Sequence, residues 1–139
     1  MERLIEFASH HWQPWAAVAL AGLIIVFELR ARAEDLASIS PQDLVRLVNQ
    51  GALVIDLRAP EQYKAGHVSG ARLMSGEQMQ KAADTLKKHK EKPVVVYDDS
   101  GSLGSSAVRQ LASQGFKKAF NLRGGLTAWR SENLPLTRD

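Results

Sequence analysis

The loop that begins at Asp98-Asp99 holds the chain's most suggestive arrangement of chemical groups. It follows Pro93–Tyr97 (PVVVY), an apolar, β-branched run, and continues through Ser100, Gly101, Ser102, Leu103 and Gly104 into an amphipathic stretch. Small residues ahead of a helix let backbone N–H groups converge on an anion. The segment 98–104 is therefore an anion-site candidate, with a plain connection as the alternative reading of a glycine-serine loop. Asp98 as a phosphoryl acceptor needs a second carboxylate two residues on to hold Mg²⁺, and that position is Ser100. Asp98 with Asp99 as a divalent-metal site has no third oxygen ligand in view. The reading adopted for Asp98 is a solvated acid that helps cap the following helix at its positive end. Neither a metal nor a cofactor is expected.

The chain has no cysteine, which excludes disulfides, thiolate metal sites and thiolate nucleophiles. Its four histidines show no zinc spacing: His10 and His11 precede an apolar run, His67 follows a glycine, and His89 ends a helical stretch. The densest basic run is Lys87-Lys88-His89-Lys90-Glu91-Lys92. Cations at a helix carboxyl end are favoured by the dipole, and contact with anionic lipid or an acidic partner is the alternative.

The elements that must position these groups alternate between apolar runs and amphipathic stretches. Ser40-Pro41 predicts a capped helix start, with Leu44, Val45 and Val48 on one face of Gln42–Asn49 and Gly51 at its end. Ala52–Leu57 (ALVIDL) reads as a buried strand, and Glu61–Ala65 as a short helix. Glu77–His89 reads as one longer helix with Met79, Ala82, Ala83 and Leu86 inward. After the PVVVY strand come a helix at Ser105–Gln114 with Val108, Leu111 and Ala112 inward, a strand at Ala119–Leu122, and a last helix through Trp129. Strands alternating with helices predict an α/β domain with a parallel sheet flanked by helices. In such sheets ligands bind at the carboxyl ends of strands, which is where loop 98–104 falls.

At this level of detail the chain resembles a known family. Asp56-Leu57-Arg58, Glu61 and Gly66-His67-Val68-Ser69-Gly70-Ala71 resemble the first signature of rhodanese (sulfurtransferase) domains, and Asn121-Leu122-Arg123-Gly124-Gly125-Leu126-Thr127-Ala128-Trp129, closing in Leu134-Pro135, resembles the second. The similarity spans about 38–136. It implies a rhodanese-like fold, in which active members place a cysteine directly after the strand equivalent to PVVVY. That thiolate becomes a persulfide, cradled by loop N–H groups and a basic residue five positions on. Here the cysteine position is Asp98 and the basic position is Leu103, while Gly101 still matches. A carboxylate cannot form a persulfide or replace a soft sulfur nucleophile. Two acidic residues would also repel thiosulfate, since like charges ~4 Å apart cost about 4 kcal/mol at an effective dielectric near 20. Thiosulfate sulfurtransferase activity is accordingly not expected. The resemblance further implies that His67 is structural, that Asp56, Arg58 and Glu61 form a fixed polar cluster, and that Gly66, Gly70, Ala71, Gly124, Gly125 and Trp129 serve the scaffold.

Ahead of the domain, Trp15–Phe27 (WAAVALAGLIIVF) carries no charge. Extended to about 12–29 it reaches the lower limit for crossing ~30 Å of hydrocarbon. Trp12 and Trp15 suit one headgroup region, and Glu28, Arg30 and Arg32 the other. A cleaved signal peptide is the rival, because Ala31-Arg32-Ala33 resembles a cleavage site, but the residues before the run are not net positive. The expected organisation is an anchor at 1–32, a linker at 33–37 and the domain at 38–139, similar to a bacterial subgroup of small membrane-anchored rhodanese-like proteins. Arg30 and Arg32 against the lone Arg3 point the domain to the cytoplasmic face of the inner membrane. Arg3, Arg30 and Arg32 cancel Glu2, Glu6 and Glu28, so the whole net charge of +3 falls on residues 34–139. That is too little and too scattered for a nucleic-acid binder. Two functions remain: a binding or adapter module with a protein partner at the membrane, or a sulfurtransferase-family enzyme with cysteine-independent chemistry on a different anion.

Overall fold

The computed structural model describes residues 2–10 and 12–138. It divides into two units, Met1–Asp35 and Leu36–Asp139.

The first unit is helical. Helix α1 (Glu2–His10) precedes α2 (Trp12–Ala37), whose stretch Trp12–Arg32 is long and apolar enough to cross a membrane. At 1.5 Å per residue this stretch measures about 30 Å. Its large apolar side chains, from Trp15 to Phe27, are exposed. The segment 33–37, expected as a linker, continues α2 as helix. The expectation for His11 lies outside the described residues, and the same holds for the His10 side chain.

The second unit is a five-stranded, wholly parallel sheet in the order β1-β5-β4-β2-β3. Along the chain, β1 (Ser38–Ile39) leads to α3 (Pro41–Asn49), β2 (Leu53–Asp56), α4 (Pro60–Ala65), β3 (Arg72–Leu73) and α5 (Gly76–Gln80). Then come α6 (Ala82–Thr85), a 3-10 turn (Lys87–His89), β4 (Val94–Tyr97), α7 (Gly104–Ser113), β5 (Ala119–Leu122) and α8 (Gly125–Ser131). Two-residue periodicity sorts the strand side chains onto opposite faces. Leu53, Ile55, Val94 and Val96 pack with Met79, Leu86, Leu111 and Phe116 on one face. Val54, Val95 and Tyr97 pack with Leu44, Leu122, Leu126 and Trp129 on the other. The helix-covered parallel sheet agrees with the sequence expectation.

Three local expectations are corrected. The single helix expected at Glu77–His89 is broken into α5, α6 and the 3-10 turn. In a continuous helix the Ala83 N–H would bond the Met79 carbonyl; instead the Gln114 amide inserts between them. Its Oε1 accepts from Ala83 N at 2.7 Å and its Nε2 donates to Met79 O at 2.9 Å. Such an insertion breaks the helical ladder while leaving both groups satisfied. On α3, Val45 is exposed and Leu47 packs inward beside Val48. On α7, Ala112 is exposed and Ala107 is buried in its place. Both shifts rotate the buried stripe by one position, within the wide apolar face such helices tolerate.

Candidate functional site

The site is built where β2, β4 and β5 end side by side. β2 ends in Asp56 and Arg58 follows two residues on, both buried. The guanidinium donates to the carboxylate from Nε at 3.1 Å to each oxygen and from Nη2 at 2.8 Å, and Arg58 N donates to Asp56 Oδ1 at 2.8 Å. Tyr97, the last residue of β4, donates its hydroxyl to Asp56 Oδ2 at 2.8 Å and accepts from Val68 N at 3.1 Å. Arg58 Nη2 also donates to Gly66 O at 2.6 Å, tying in the segment that follows α4. Burial pushes the Tyr97 phenol well above its ordinary value, and its bond to Asp56 adds to this. Burial works against the charge on Arg58, but the hydrogen bond and charge of Asp56, with Tyr97 and Asp99, together outweigh it and the net shift is upward. The expected cluster of Asp56, Arg58 and Glu61 thus holds for the first two; Glu61 is exposed on α4 and stands outside it. Tyr97 takes the third place.

His67 is likewise buried and bonded within the domain. Its ring stacks on Tyr63 with centroids 3.7 Å apart, Nδ1 lies 2.7 Å from Tyr63 O, and its backbone pairs with Thr137. Trp129 is buried, its indole N–H donating to Pro135 O at 3.0 Å.

The loop after β4 differs from expectation at its first residue. Asp98 is 4% exposed, not solvated. Its Oδ1 accepts from Gly101 N at 2.7 Å, and its Oδ2 from Leu103 N at 3.2 Å and more loosely from Ser102 Oγ at 3.4 Å. The convergent N–H groups that make this loop an anion-site candidate are therefore directed at a carboxylate carried by the loop itself. The chain turns back tightly enough because Gly101 adopts φ +90°. Asp99 faces elsewhere: Oδ2 accepts from Gln62 Nε2 at 2.8 Å, and Oδ1 lies 3.6 Å from Arg58 Nη1. The two acids do not share one pocket, so the expected joint repulsion of an anion reduces to the carboxylate of Asp98. Ser100, Ser102 and Leu103 form the exposed rim, with Leu103 57% exposed.

The β5–α8 turn closes the site from below. Leu126 N donates to Asp98 O at 2.8 Å, and Thr127 donates to Asp99 O from both N (3.0 Å) and Oγ1 (2.8 Å). Asn121 on β5 is buried and donates to Gly101 O at 3.3 Å. Gly104 lies so close to it that a Cβ there would fall 1.7 Å from Asn121 Oδ1. The sequence reading named the loop and its glycines but not Gln62, Tyr97 and Asn121, which bond to or beneath it. The only signal for Tyr97 was a hydroxyl at the end of an otherwise aliphatic strand. Among the described residues no cluster of three His, Asp or Glu could hold a metal ion.

A match to the family described as "Rhodanese-like domain" covers residues 40–132. Over 143 aligned residues, and 99% of each chain, the protein is 32% identical to an uncharacterized protein, YibN, of Escherichia coli K12. It is 34% identical over 96 residues to the thiosulfate sulfurtransferase GlpE of Ectopseudomonas mendocina, covering 67% of this chain and 84% of that one. Among solved structures it is similar to the BH2092 protein of Bacillus halodurans, with a TM-score of 0.64 and 27% identity over 79% of this chain and 83% of that one. With its parallel sheet and this match across most of the chain, the protein belongs to the rhodanese-like domain family.

Proposed function

We propose that the protein is a non-catalytic rhodanese-like module, anchored by α2 in a bacterial inner membrane, that binds a protein partner from the cytoplasmic face. The observation that carries this reading is the self-occupied loop: the position of the family's persulfide-forming cysteine is Asp98, and its carboxylate takes the N–H groups of Gly101 and Leu103. An incoming oxyanion would have to displace that carboxylate. Doing so would leave a buried charge without its hydrogen bonds, at a cost of about 1–3 kcal/mol or more. The same geometry speaks against altered chemistry on a different anion, because the groups that would bind the anion are already bonded. The rim of Ser100, Ser102 and exposed Leu103 remains available to a protein surface.

Purified full-length protein is expected to show no thiosulfate-to-cyanide sulfur transfer above the uncatalysed rate; detectable transfer would overturn the proposal. Replacing Asp98→Cys together with Leu103→Arg is expected to confer persulfide formation, read by mass spectrometry after thiosulfate treatment, because the loop N–H groups already point at position 98. The orientation rests on Arg30 and Arg32 following the apolar stretch. Protease added to intact spheroplasts is therefore expected to leave residues 38–139 undigested, and their loss would reverse the topology.

A further inference from the structure

The basic run of residues 87–92 takes no part in the site above, yet the fold gives part of it a partner from another element. Arg72, on the edge strand β3, meets Lys87, Lys88 and His89 of the 3-10 turn around an open surface cavity of about 640 Å³, which Asp84 and Thr85 complete. Among the described residues, none of Arg72, Lys87 and Lys88 is paired with a carboxylate. Three cations against Asp84 leave the lining at +2 with His89 neutral. The ring atom Nδ1 of His89 is buried and has no hydrogen-bond partner. A buried polar atom without a partner costs about 1–3 kcal/mol, and unpaired cations gathered at one cavity repel one another. An anion with several oxygens relieves that repulsion.

We propose that this cavity binds a phosphate group, its oxygens held by Arg72, Lys87 and Lys88, with the His89 ring lining the cavity beside it. A phosphate monoester carries about −1.5 to −2 at pH 7, close to the charge of the lining, and its tetrahedral oxygens can accept from donors on two different elements at once. The cavity is larger than a lone phosphate, which leaves room for the group that bears it. A carboxylate, with one charge and two oxygens in a plane, neutralises less of the lining. None of the lining residues belongs to loop 98–104, so the site stands or falls independently of what that loop does.

His89 provides the reporter. Burial, followed by Lys92, Arg72 and Lys88, holds its pKa below the ordinary histidine value, and a bound anion must move it upward. The test is NMR observation of the His89 ring in full-length protein held in nanodiscs. In phosphatidylcholine discs, titration with inorganic phosphate is expected to give a saturable shift and a raised His89 pKa. In discs containing phosphatidylglycerol, the same change without added phosphate would assign the phosphate to lipid headgroups. Under either source, Arg72→Ala with Lys87→Gln and Lys88→Gln is expected to weaken binding at least about tenfold, as loss of charge-assisted contacts requires. Lys64→Gln, on α4, should leave it unchanged. Arg72, Lys87 and Lys88 are exposed, and unaltered thermal unfolding of the triple variant would establish that it folds. Absence of any saturable change with both probes, or a change that the triple variant retains, would overturn the proposal.

Discussion

Replacing Asp56 by Ala is expected to destabilise the rhodanese-like domain by about 3–5 kcal/mol, the range found when one member of a buried ion pair is removed. The side chains of Asp56 and Arg58 are 0% and 3% exposed. Without the carboxylate, the guanidinium keeps only Gly66 O at 2.6 Å and the more distant Asp99, and the Tyr97 hydroxyl loses its acceptor at 2.8 Å. For a domain of this size each kcal/mol lowers Tm by roughly 4–8 °C, so the transition should fall by roughly 12 °C or more. The double replacement Asp56→Ala with Arg58→Met removes both charges and should cost much less than the sum of the two single changes. The measurement is a double-mutant cycle by urea denaturation of the full-length protein. A loss under about 1 kcal/mol for Asp56→Ala, or strict additivity in the cycle, would show that the pair does not organise this end of the sheet.

That cluster also marks what the amino-acid sequence discloses and what it hides. The strands PVVVY and Ala52–Leu57 were readable because a parallel strand buried on both faces is a nearly continuous apolar run. The two-residue strands β1 and β3 were not, since Ser38–Ile39 and Arg72–Leu73 carry no periodicity long enough to register. Asp56 and Arg58 were legible through the family signature. Tyr97 was hidden because a tyrosine ending an apolar strand reads as core, and its bond to Asp56 joins residues 41 positions apart. The break between α5 and α6 has the same origin: Gln114, remote in sequence, supplies the amide that replaces a helical bond. The periodicity of residues 77–89 contains no trace of it.

The loop after β4 gives the sharpest case. The family resemblance implied that Asp98 stands where sulfur chemistry needs a thiol, but nothing in the sequence disclosed its burial. An isolated carboxylate in a polar loop is ordinarily solvated; here a positive-φ glycine three residues on folds the backbone around it. In the proposed reading, the absence of a thiol and the presence of the cradle are therefore linked. A carboxylate can satisfy in cis the N–H groups that would otherwise wait for an anion, so the loop keeps its shape without a ligand. Under the proposed non-catalytic reading, this accounts for an intact scaffold around a site that has no thiol, and loop shape, more than loop chemistry, is what a binding partner would meet.

If loop shape is the functional property, the residue beneath the loop should be among the least replaceable in the domain. Gly125→Ala is expected to cost about 3 kcal/mol or more. Gly125 has φ +60°, where a Cβ alone costs roughly 1–2 kcal/mol. That Cβ would also stand 2.4 Å from Asp98 O and 2.7 Å from both the carbon and the oxygen of the Asp99 carbonyl, all backbone atoms that cannot swing aside. Relief requires the loop to lift, which breaks the bonds from Leu126 N to Asp98 O and from Thr127 N to Asp99 O. Each buried group so orphaned adds about 1–3 kcal/mol. Gly70→Ala separates the two contributions, because Gly70 has φ +79° but open space where the Cβ would be; it should cost only the backbone strain. Unfolding free energies of the two variants from urea denaturation are expected to differ by about 2 kcal/mol, with the amide signals of Gly101 and Leu103 displaced in Gly125→Ala alone. Equal costs, or unmoved loop amides, would mean that α8 does not hold the loop from below and that its shape is set within residues 98–104 themselves.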